Sequence, residues 1–196
     1  MPVSNLRCAT AALLALLMCI VSAPVQAQDS VPSSTDDTTK GAPYVSTPQH
    51  VVLRMLELAE VTPDDVVYDL GSGDGRFVIS AARDFGARGV GIEIEKDLVA
   101  QSRRNAARME VEEQVRFYRG DLFKTDLSKA TVVTLYLWPG MMDRLRPKPR
   151  SELVPGARII SHDFTIDGWT PDTTVTIGTK TLQEEKTQIH LWTIPE

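Results

Sequence analysis

A glycine-rich stretch follows an apolar run in this 196-residue chain. Residues 69–77 read DLGSGDGRF, and the apolar residues before them are typical of a short buried strand. Glycines at alternate positions weaken a strand or a helix, because glycine adds backbone freedom and brings no side chain to the packing. We therefore expect a sharp strand-to-helix turn in which Gly71, Gly73 and Gly75 let a ligand approach the backbone.

The rest of the sequence alternates between strand and helix patterns. An almost uninterrupted apolar run at 130–138 is typical of a strand covered on both faces. This alternation predicts an α/β fold: a doubly wound, mostly parallel seven-strand sheet of Rossmann-like type with a C-terminal antiparallel hairpin. The predicted strands are 64–70, 88–94, 114–121, 130–138, 157–164, 173–182 and 187–194, and the predicted helices are 48–60, 75–85, 96–109 and 140–154, the last broken by Pro147 and Pro149.

The N-terminal part of the chain differs in composition from the rest. Residues 1–27 carry one arginine, then an apolar run, then small residues before a cleavage point after Ala27, which predicts a signal peptide rather than an uncleaved anchor. Residues 28–43 are polar and predict a flexible linker, so the folded domain is expected at 44–196. Within it, Thr47 and Pro48 are predicted to be the N-cap and first turn of the first helix. We expect an exported protein, periplasmic or secreted.

Composition excludes several kinds of chemistry from the mature chain. Both cysteines, Cys8 and Cys19, lie in the predicted signal peptide, so disulfides, thiolate catalysis and zinc–thiolate sites are not expected. The spacing of histidine and acidic residues indicates no metal site. The net charge is -5 and the isoelectric point is near 5.3, which disfavours nucleic acid as a partner. No stable membrane span is expected after removal of the signal peptide.

Two ligand classes compete for the glycine loop. A dinucleotide fingerprint, G-x-G-x-x-G, would place its third glycine at the position of Arg76, and a pyrophosphate would lie badly beside Asp69 and Asp74. S-adenosylmethionine suits these carboxylates better, because it carries a sulfonium and an α-ammonium group. We expect Asp69 to hold the ammonium, directly or through water, while Gly71 and Gly73 make room for the amino acid tail.

Acidic residues also follow the next two predicted strands. Glu93 comes about 20 residues after the glycine loop, where an acid accepts hydrogen bonds from ribose hydroxyls. Asp121 follows the third strand and is expected to accept from the adenine amino group, with Leu122 supplying a backbone amide. Each acid alone is more often a capped turn, but three of them at successive strand ends indicate a nucleoside site.

These motifs carry a family resemblance. The set DLGSGDGRF, GVGIEI and GDLF resembles that of class I, seven-strand S-adenosylmethionine-dependent methyltransferases. The stretch from PYVSTPQH to GRFVISAA is similar to the start of the methyltransferase domain in the branch that contains the ATP synthase c-subunit lysine methyltransferase. The resemblance as a whole covers about residues 43–169. It implies methyl transfer to a protein lysine or another amine. The alternative is an exported, non-catalytic module that binds S-adenosylmethionine or a nucleoside, since export would separate an enzyme from the cytosolic methyl donor.

The acceptor side has aromatic candidates. After the fourth strand the chain reads LYLWPGMM, without the Asn- or Asp-Pro-Pro-aromatic motif of enzymes that methylate exocyclic amino groups or glutamine. Trp138 is expected to line the pocket, with Tyr44 closing over it, whereas core packing is the favoured interpretation of Tyr136. His162 and Asp163 lie at the end of the fifth strand. They are expected either to act as a base or substrate-orienting pair or to have a structural role, with His162 as a buried histidine that has its hydrogen-bond partners. The basic segment 143–150 is expected at the rim, either as a solvated face or as a surface for an acidic partner.

Overall fold

A computed structural model describes residues 44–178 and 186–195. The strands are β1 (Val66–Leu70), β2 (Arg88–Glu93), β3 (Val115–Arg119), β4 (Val132–Leu135), β5 (Arg158–His162), β6 (Thr173–Gly178) and β7 (Lys186–Thr193). The helices are α1 (Gln49–Leu58), α2 (Arg76–Phe85), α3 (Lys96–Arg108), α4 (Pro139–Leu145) and α5 (Pro147–Glu152), with a short 3₁₀ helix at Leu122–Lys124. Most boundaries lie within two residues of the predicted ones. Small differences are expected there, because the sequence pattern specifies the ends of strands and helices least.

The strands form one seven-stranded sheet in the order β3-β2-β1-β4-β5-β7-β6. Strands β1 to β5 run parallel, whereas β7 pairs antiparallel with β5 and with β6. The predicted fold class is therefore confirmed. The strand order turns back between β1 and β4, and in open α/β sheets the crevice outside the carboxyl ends of the strands at such a point binds ligands.

Packing on both faces fixes the centre of the sheet. All four residues of β4 are buried, as its apolar run predicted. On one face Val132 belongs to the core that includes Met55 of α1 and Val78 of α2. On the other face Leu135 belongs to the core that includes Met142 of α4. The carboxyl ends of the central strands are thus held in place from both sides.

The start of α1 differs from the prediction. The helix begins at Gln49, its N-cap is Pro48, and no side chain caps it. The hydroxyl of Thr47 lies 3.0 Å from Nδ1 of His162 instead, at the end of β5. The N-cap prediction for Thr47 was wrong because a partner 115 residues away in the sequence engages the hydroxyl.

The predicted segment 140–154 is interrupted at Pro147, as expected, and forms two helices, α4 and α5. Pro139 and Pro147 stand at the starts of α4 and α5, where the missing N–H would have no helical partner. Pro149 falls in the first turn of α5, so it removes no helical hydrogen bond either. As a result α4 starts directly after Trp138 and fixes where the chain leaves β4.

Several predictions fall outside the described residues. They are the signal peptide at 1–27, the linker at 28–43 and most of the turn between β6 and β7. Within the part of the chain that is described, none of the helices is long and apolar enough to cross a membrane.

Candidate active site at the carboxyl edge of the sheet

The glycine loop joins β1 to α2 through left-handed backbone conformations. Gly73 has φ +52° and Gly75 has φ +85°, a region that other residues adopt only with strain. Space is also lacking, since a Cβ on Gly75 would lie 2.6 Å from the ring of Phe117. A Cβ on Gly73 would lie 2.1 Å from a ring carbon of Tyr44. The glycines therefore serve both the turn and the close approach of neighbouring rings.

Glu93, the last residue of β2, ties the loop to the neighbouring strand. One carboxylate oxygen accepts the backbone N–H of Gly73 at 2.9 Å, and the other accepts those of Ile94 and Glu95 at 2.8 and 3.0 Å. The side chain lies between the loop and the start of α3 and is buried. A carboxylate has about four acceptor positions, so these three bonds leave room for a further donor. The predicted ribose contact of Glu93 stays a prediction.

Asp69 lies in β1, one residue before the strand ends, and is buried. Its Oδ1 accepts a hydrogen bond of 2.7 Å from the hydroxyl of Thr134 on β4. Burial is the main cause that raises the pKa of Asp69 to about 7, and the Thr134 bond opposes it. The nearby carboxylates of Glu93 and Asp74 raise this pKa as well. A cation placed beside Asp69 would favour its ionised form.

Asp74 is already paired with a cation. Its two oxygens accept from Nε and Nη2 of Arg76 at 2.9 and 2.6 Å. Burial opposes ionisation of Asp74, but the Arg76 guanidinium holds the pKa of this carboxyl below its usual value. Sequence reasoning used Arg76 only to exclude a dinucleotide, and it missed this two-point salt bridge.

Asp121 and Leu122 lie at the carboxyl end of β3, beside the same edge of the sheet. Asp121 caps the 3₁₀ helix, where its Oδ1 accepts the N–H of Phe123 at 2.9 Å. Its side chain stays about one-third exposed, and Leu122 is buried in the adjacent core. The capped turn that spacing alone favoured is present, and the adenine contact stays a prediction.

Residues 44–48, here called the N-terminal strap, connect the glycine loop to the end of β5. Tyr44 lies against Gly73 at one end of the strap. Near the other end, Nη1 of Arg76 donates to the carbonyl oxygen of Thr47 at 2.5 Å. The Thr47 hydroxyl lies 3.0 Å from Nδ1 of His162. The strap is therefore bonded to α2 and to β5 through a single residue.

An aromatic row stands at the carboxyl ends of β4 and β5. We use this name for Tyr136, Phe164 and Trp138. The ring of Phe164 stacks between the other two, with centroids 6.3 Å from each and interplanar angles of 16° and 28°. Trp138 is 49% exposed, so the outer end of the row is open to solvent. Phe164 was not singled out by the sequence, because a phenylalanine after a strand is ordinary core composition.

His162 and Asp163 are engaged with neighbouring elements. The imidazole is 3% exposed and its centroid lies 4.1 Å from that of Tyr136. Asp163 has φ +61°, and its Oδ1 accepts the N–H of Gln188 on β7 at 2.9 Å. Its Oδ2 lies 3.4 Å from Nε2 of His162. Burial lowers the pKa of His162, and Asp163 opposes this shift. Assistance by this pair in proton removal stays a prediction.

Comparison with known proteins gives the same assignment as the site. The family model of the ANTKMT methyltransferase domain matches residues 69–173, more than half of the chain. This chain belongs to that family. It is an S-adenosylmethionine-dependent methyltransferase, as the glycine loop and the strand-end acids predicted.

Two protein sequences and one solved structure illustrate what this chain is similar to. A protein-lysine N-methyltransferase from Saccharolobus islandicus is 46% identical over 130 residues, which cover 66% of this chain and 81% of that protein. The ATP synthase c-subunit lysine N-methyltransferase of Xenopus laevis is 38% identical over 130 residues, covering 66% of this chain and 57% of that protein. The chain thus spans little more than half the length of the Xenopus relative. A crystal structure described as an RNA methyltransferase from Salinibacter ruber, with S-adenosyl-L-homocysteine, is 54% identical with a TM-score of 0.73, covering 78% of this chain and 95% of that one.

The residues at the carboxyl edge fit S-adenosylmethionine. Gly71 is left-handed and exposed, so its backbone is open to a ligand. Burial raises the pKa of the Asp69 carboxyl to about 7, and a cation beside it would favour the ionised form. When bound, the cofactor supplies an electrophilic methyl group on a sulfonium. Asp69 would hold the α-ammonium, Gly71 and Gly73 would border the tail, and Glu93 and Asp121 would contact ribose and adenine.

We expect cofactor binding to release a proton from Asp69. Its pKa of about 7 means that the free protein is mainly protonated there at pH 6, while an adjacent ammonium favours the carboxylate. The affinity for S-adenosylhomocysteine should therefore rise with pH, by about tenfold between pH 6 and pH 8, and level off above the folded pKa. Calorimetry at pH 6 in buffers of different ionisation enthalpy measures the released proton.

Substitution identifies the source of that proton. Asp69→Asn should abolish both the proton release and the rise in affinity, while the exposed control Asp64→Asn should keep both. Equal proton release in Asp69→Asn and the wild type would show that another group titrates.

Proposed function

We propose that this enzyme methylates the side-chain amine of a lysine in a protein. Support comes from the names of the Saccharolobus and Xenopus relatives, both lysine N-methyltransferases. The Salinibacter structure is described as an RNA methyltransferase, so RNA is the competing acceptor. Because the two acceptors differ in charge and shape, the surface around the site bears on the choice between them.

The aromatic row carries the proposal. Trp138 immediately precedes α4 and lies at the open end of the row, and Phe164 and Tyr136 continue the row toward the buried end of β5. Aromatic faces attract an ammonium, and an apolar surrounding favours the neutral amine once the proton has left. A lysine side chain laid along the rings would thus be bound as a cation and desolvated as a nucleophile. Tyr44 of the strap, which lies against Gly73, would border the acceptor from the side of the glycine loop.

The four cations of the basic segment 143–150 make contacts within the protein. Arg144 lies over the ring of Phe123 at 3.8 Å, and Arg150 lies over the ring of Trp169 at 4.3 Å. The remaining two cations, those of Arg146 and Lys148, bond to the carbonyl of Asp167 at 2.7 Å and to the carboxylate of Glu152 at 2.6 Å. Each of the four therefore has a partner within the protein. RNA binding depends mainly on cations that are available to phosphates, and the bonds of Arg146 and Lys148 reduce the number that this segment offers.

The transfer itself needs positioning more than acid–base chemistry. The amine lone pair forms the N–C bond to the methyl carbon while the C–S bond breaks, and its electrons stay on sulfur as a thioether. The lysine has an ordinary pKa of about 10.4, so it must lose one proton to water or to a nearby base before attack. The protein's part is to hold the amine in line and to exclude water.

A methyl-transfer assay with labelled S-adenosylmethionine tests the acceptor. We expect label in lysine residues of a protein extract from the native cell and none in total RNA from the same cell. Trp138→Ala and Phe164→Ala should lower kcat/KM for the protein acceptor by about 10–100-fold, because both remove contacts to the acceptor. In Trp138→Ala the affinity for S-adenosylhomocysteine should stay within about twofold of the wild type.

The control for this assay is Tyr118→Ala. Tyr118 is an exposed aromatic residue on β3, away from β4 and β5, so its loss should leave transfer unchanged. Label in RNA with unlabelled protein would overturn the lysine proposal. Binding of S-adenosylhomocysteine without transfer to either acceptor would favour the non-catalytic module.

Export of this enzyme is a separate proposal that rests on the sequence of residues 1–27. The apolar run followed by small residues at a cleavage point supports removal after Ala27. Protein purified from its native cell should begin at Gln28 and be found outside the cytoplasm. N-terminal sequencing of each cell fraction decides this, and an uncleaved terminus in the soluble cytosolic fraction would contradict it.

A further inference from the structure

The N-terminal strap meets both parts of the active site at one residue. The carbonyl of Thr47 accepts from Arg76, which also holds Asp74 in the glycine loop. The hydroxyl of the same threonine lies within hydrogen-bond distance of His162. Thr47 is 2% exposed and His162 is 3% exposed, so neither polar group is exposed enough to exchange its partner readily for water.

The imidazole of His162 continues this connection toward the acceptor side. Its ring lies against Tyr136 of the aromatic row. Its Nδ1 is bonded to the strap, whereas Nε2 is buried without a hydrogen bond in the described part of the chain, 3.4 Å from Oδ2 of Asp163. A buried histidine with one good hydrogen bond depends strongly on that bond, since its loss leaves both nitrogens unpaired.

From this geometry we infer that Thr47 and His162 are positioning residues that latch the strap over the cofactor site. The latch keeps Tyr44 on Gly73, at the place where the glycine loop would border the amino acid tail of the cofactor. His162 acts through Thr47 and does not need to touch cofactor or acceptor. Because the strap runs from the β1 loop to β5, its fixation also holds the segment that lies between the glycine loop and His162, whose ring contacts the aromatic row.

The inference makes binding of S-adenosylhomocysteine depend on a hydroxyl that lies outside the glycine loop. Thr47→Val removes the hydroxyl at nearly constant volume, and we expect it to weaken binding by about five- to twentyfold. Thr47→Ser keeps the hydroxyl and should restore most of the lost affinity. Thr170→Val, at an exposed threonine, is the matched control and should bind as the wild type does. Calorimetric titration below the thermal transition gives each affinity.

A double mutant separates the latch from a general loss of packing. In a His162→Leu background, Thr47→Val should weaken binding by no more than about twofold further, because the bond is already gone. Additive losses would show that the two residues act independently. A lower melting temperature in Thr47→Val with unchanged affinity would make the bond purely structural. Either result overturns the inference.

A measurement on the wild type does not depend on variant folding. Hydrogen exchange followed by mass spectrometry should show slower exchange in a peptide spanning residues 44–48 when S-adenosylhomocysteine is added. Unchanged exchange there, with protection at the glycine loop, would contradict a latch over the cofactor. None of these readouts requires a methyl acceptor, so the latch can stand or fall separately from the lysine proposal.

Discussion

Two buried carboxylates, those of Asp69 and Glu93, set the geometry of the active site. Glu93 accepts three backbone amides and so fixes the glycine loop against β2. Asp69 receives one hydroxyl bond from Thr134 and is deeply buried. The two carboxylates therefore have different roles. Glu93 shapes the loop, whereas the charge of ionised Asp69 has too few hydrogen bonds to offset its burial and would be stabilised by a cation. We propose that the cofactor ammonium provides that cation, since a glycine loop flanked by acids suits S-adenosylmethionine better than a pyrophosphate.

The rest of the site is arranged around this loop. Arg76 neutralises Asp74 and holds the strap, so one guanidinium serves both the loop and the segment that covers it. On the acceptor side, Trp138 is exposed at the end of the aromatic row, and the cations of the basic segment 143–150 contact groups within the protein. The exposed ring is consistent with the cationic amine that we propose as the acceptor.

The sequence predicted those features that depend on local pattern. Glycine spacing, the continuous apolar run of β4 and the acids at strand ends are all readable within a few residues, and the fold class followed from them. Contacts between distant segments were not readable. In the sequence Thr47 has the pattern of a helix cap, but in the fold its hydroxyl is engaged by His162 of β5. Phe164 has the pattern of a core residue, but in the fold its ring stacks with Tyr136 and Trp138. Thr134 did offer a signal for its contact with Asp69. It is a polar residue inside a buried apolar run, and a buried hydroxyl needs a hydrogen-bond partner.

A crystal structure of the full chain with S-adenosylhomocysteine tests the central claim most directly, through the distance from the Asp69 carboxylate to the ligand ammonium. We predict a distance of about 3 Å, or one bridging water between the two groups. The ribose hydroxyls should bind Glu93, and Tyr44 should still contact the glycine loop. A ligand whose amino acid portion points away from Asp69, or one bound elsewhere than the glycine loop, would contradict this account.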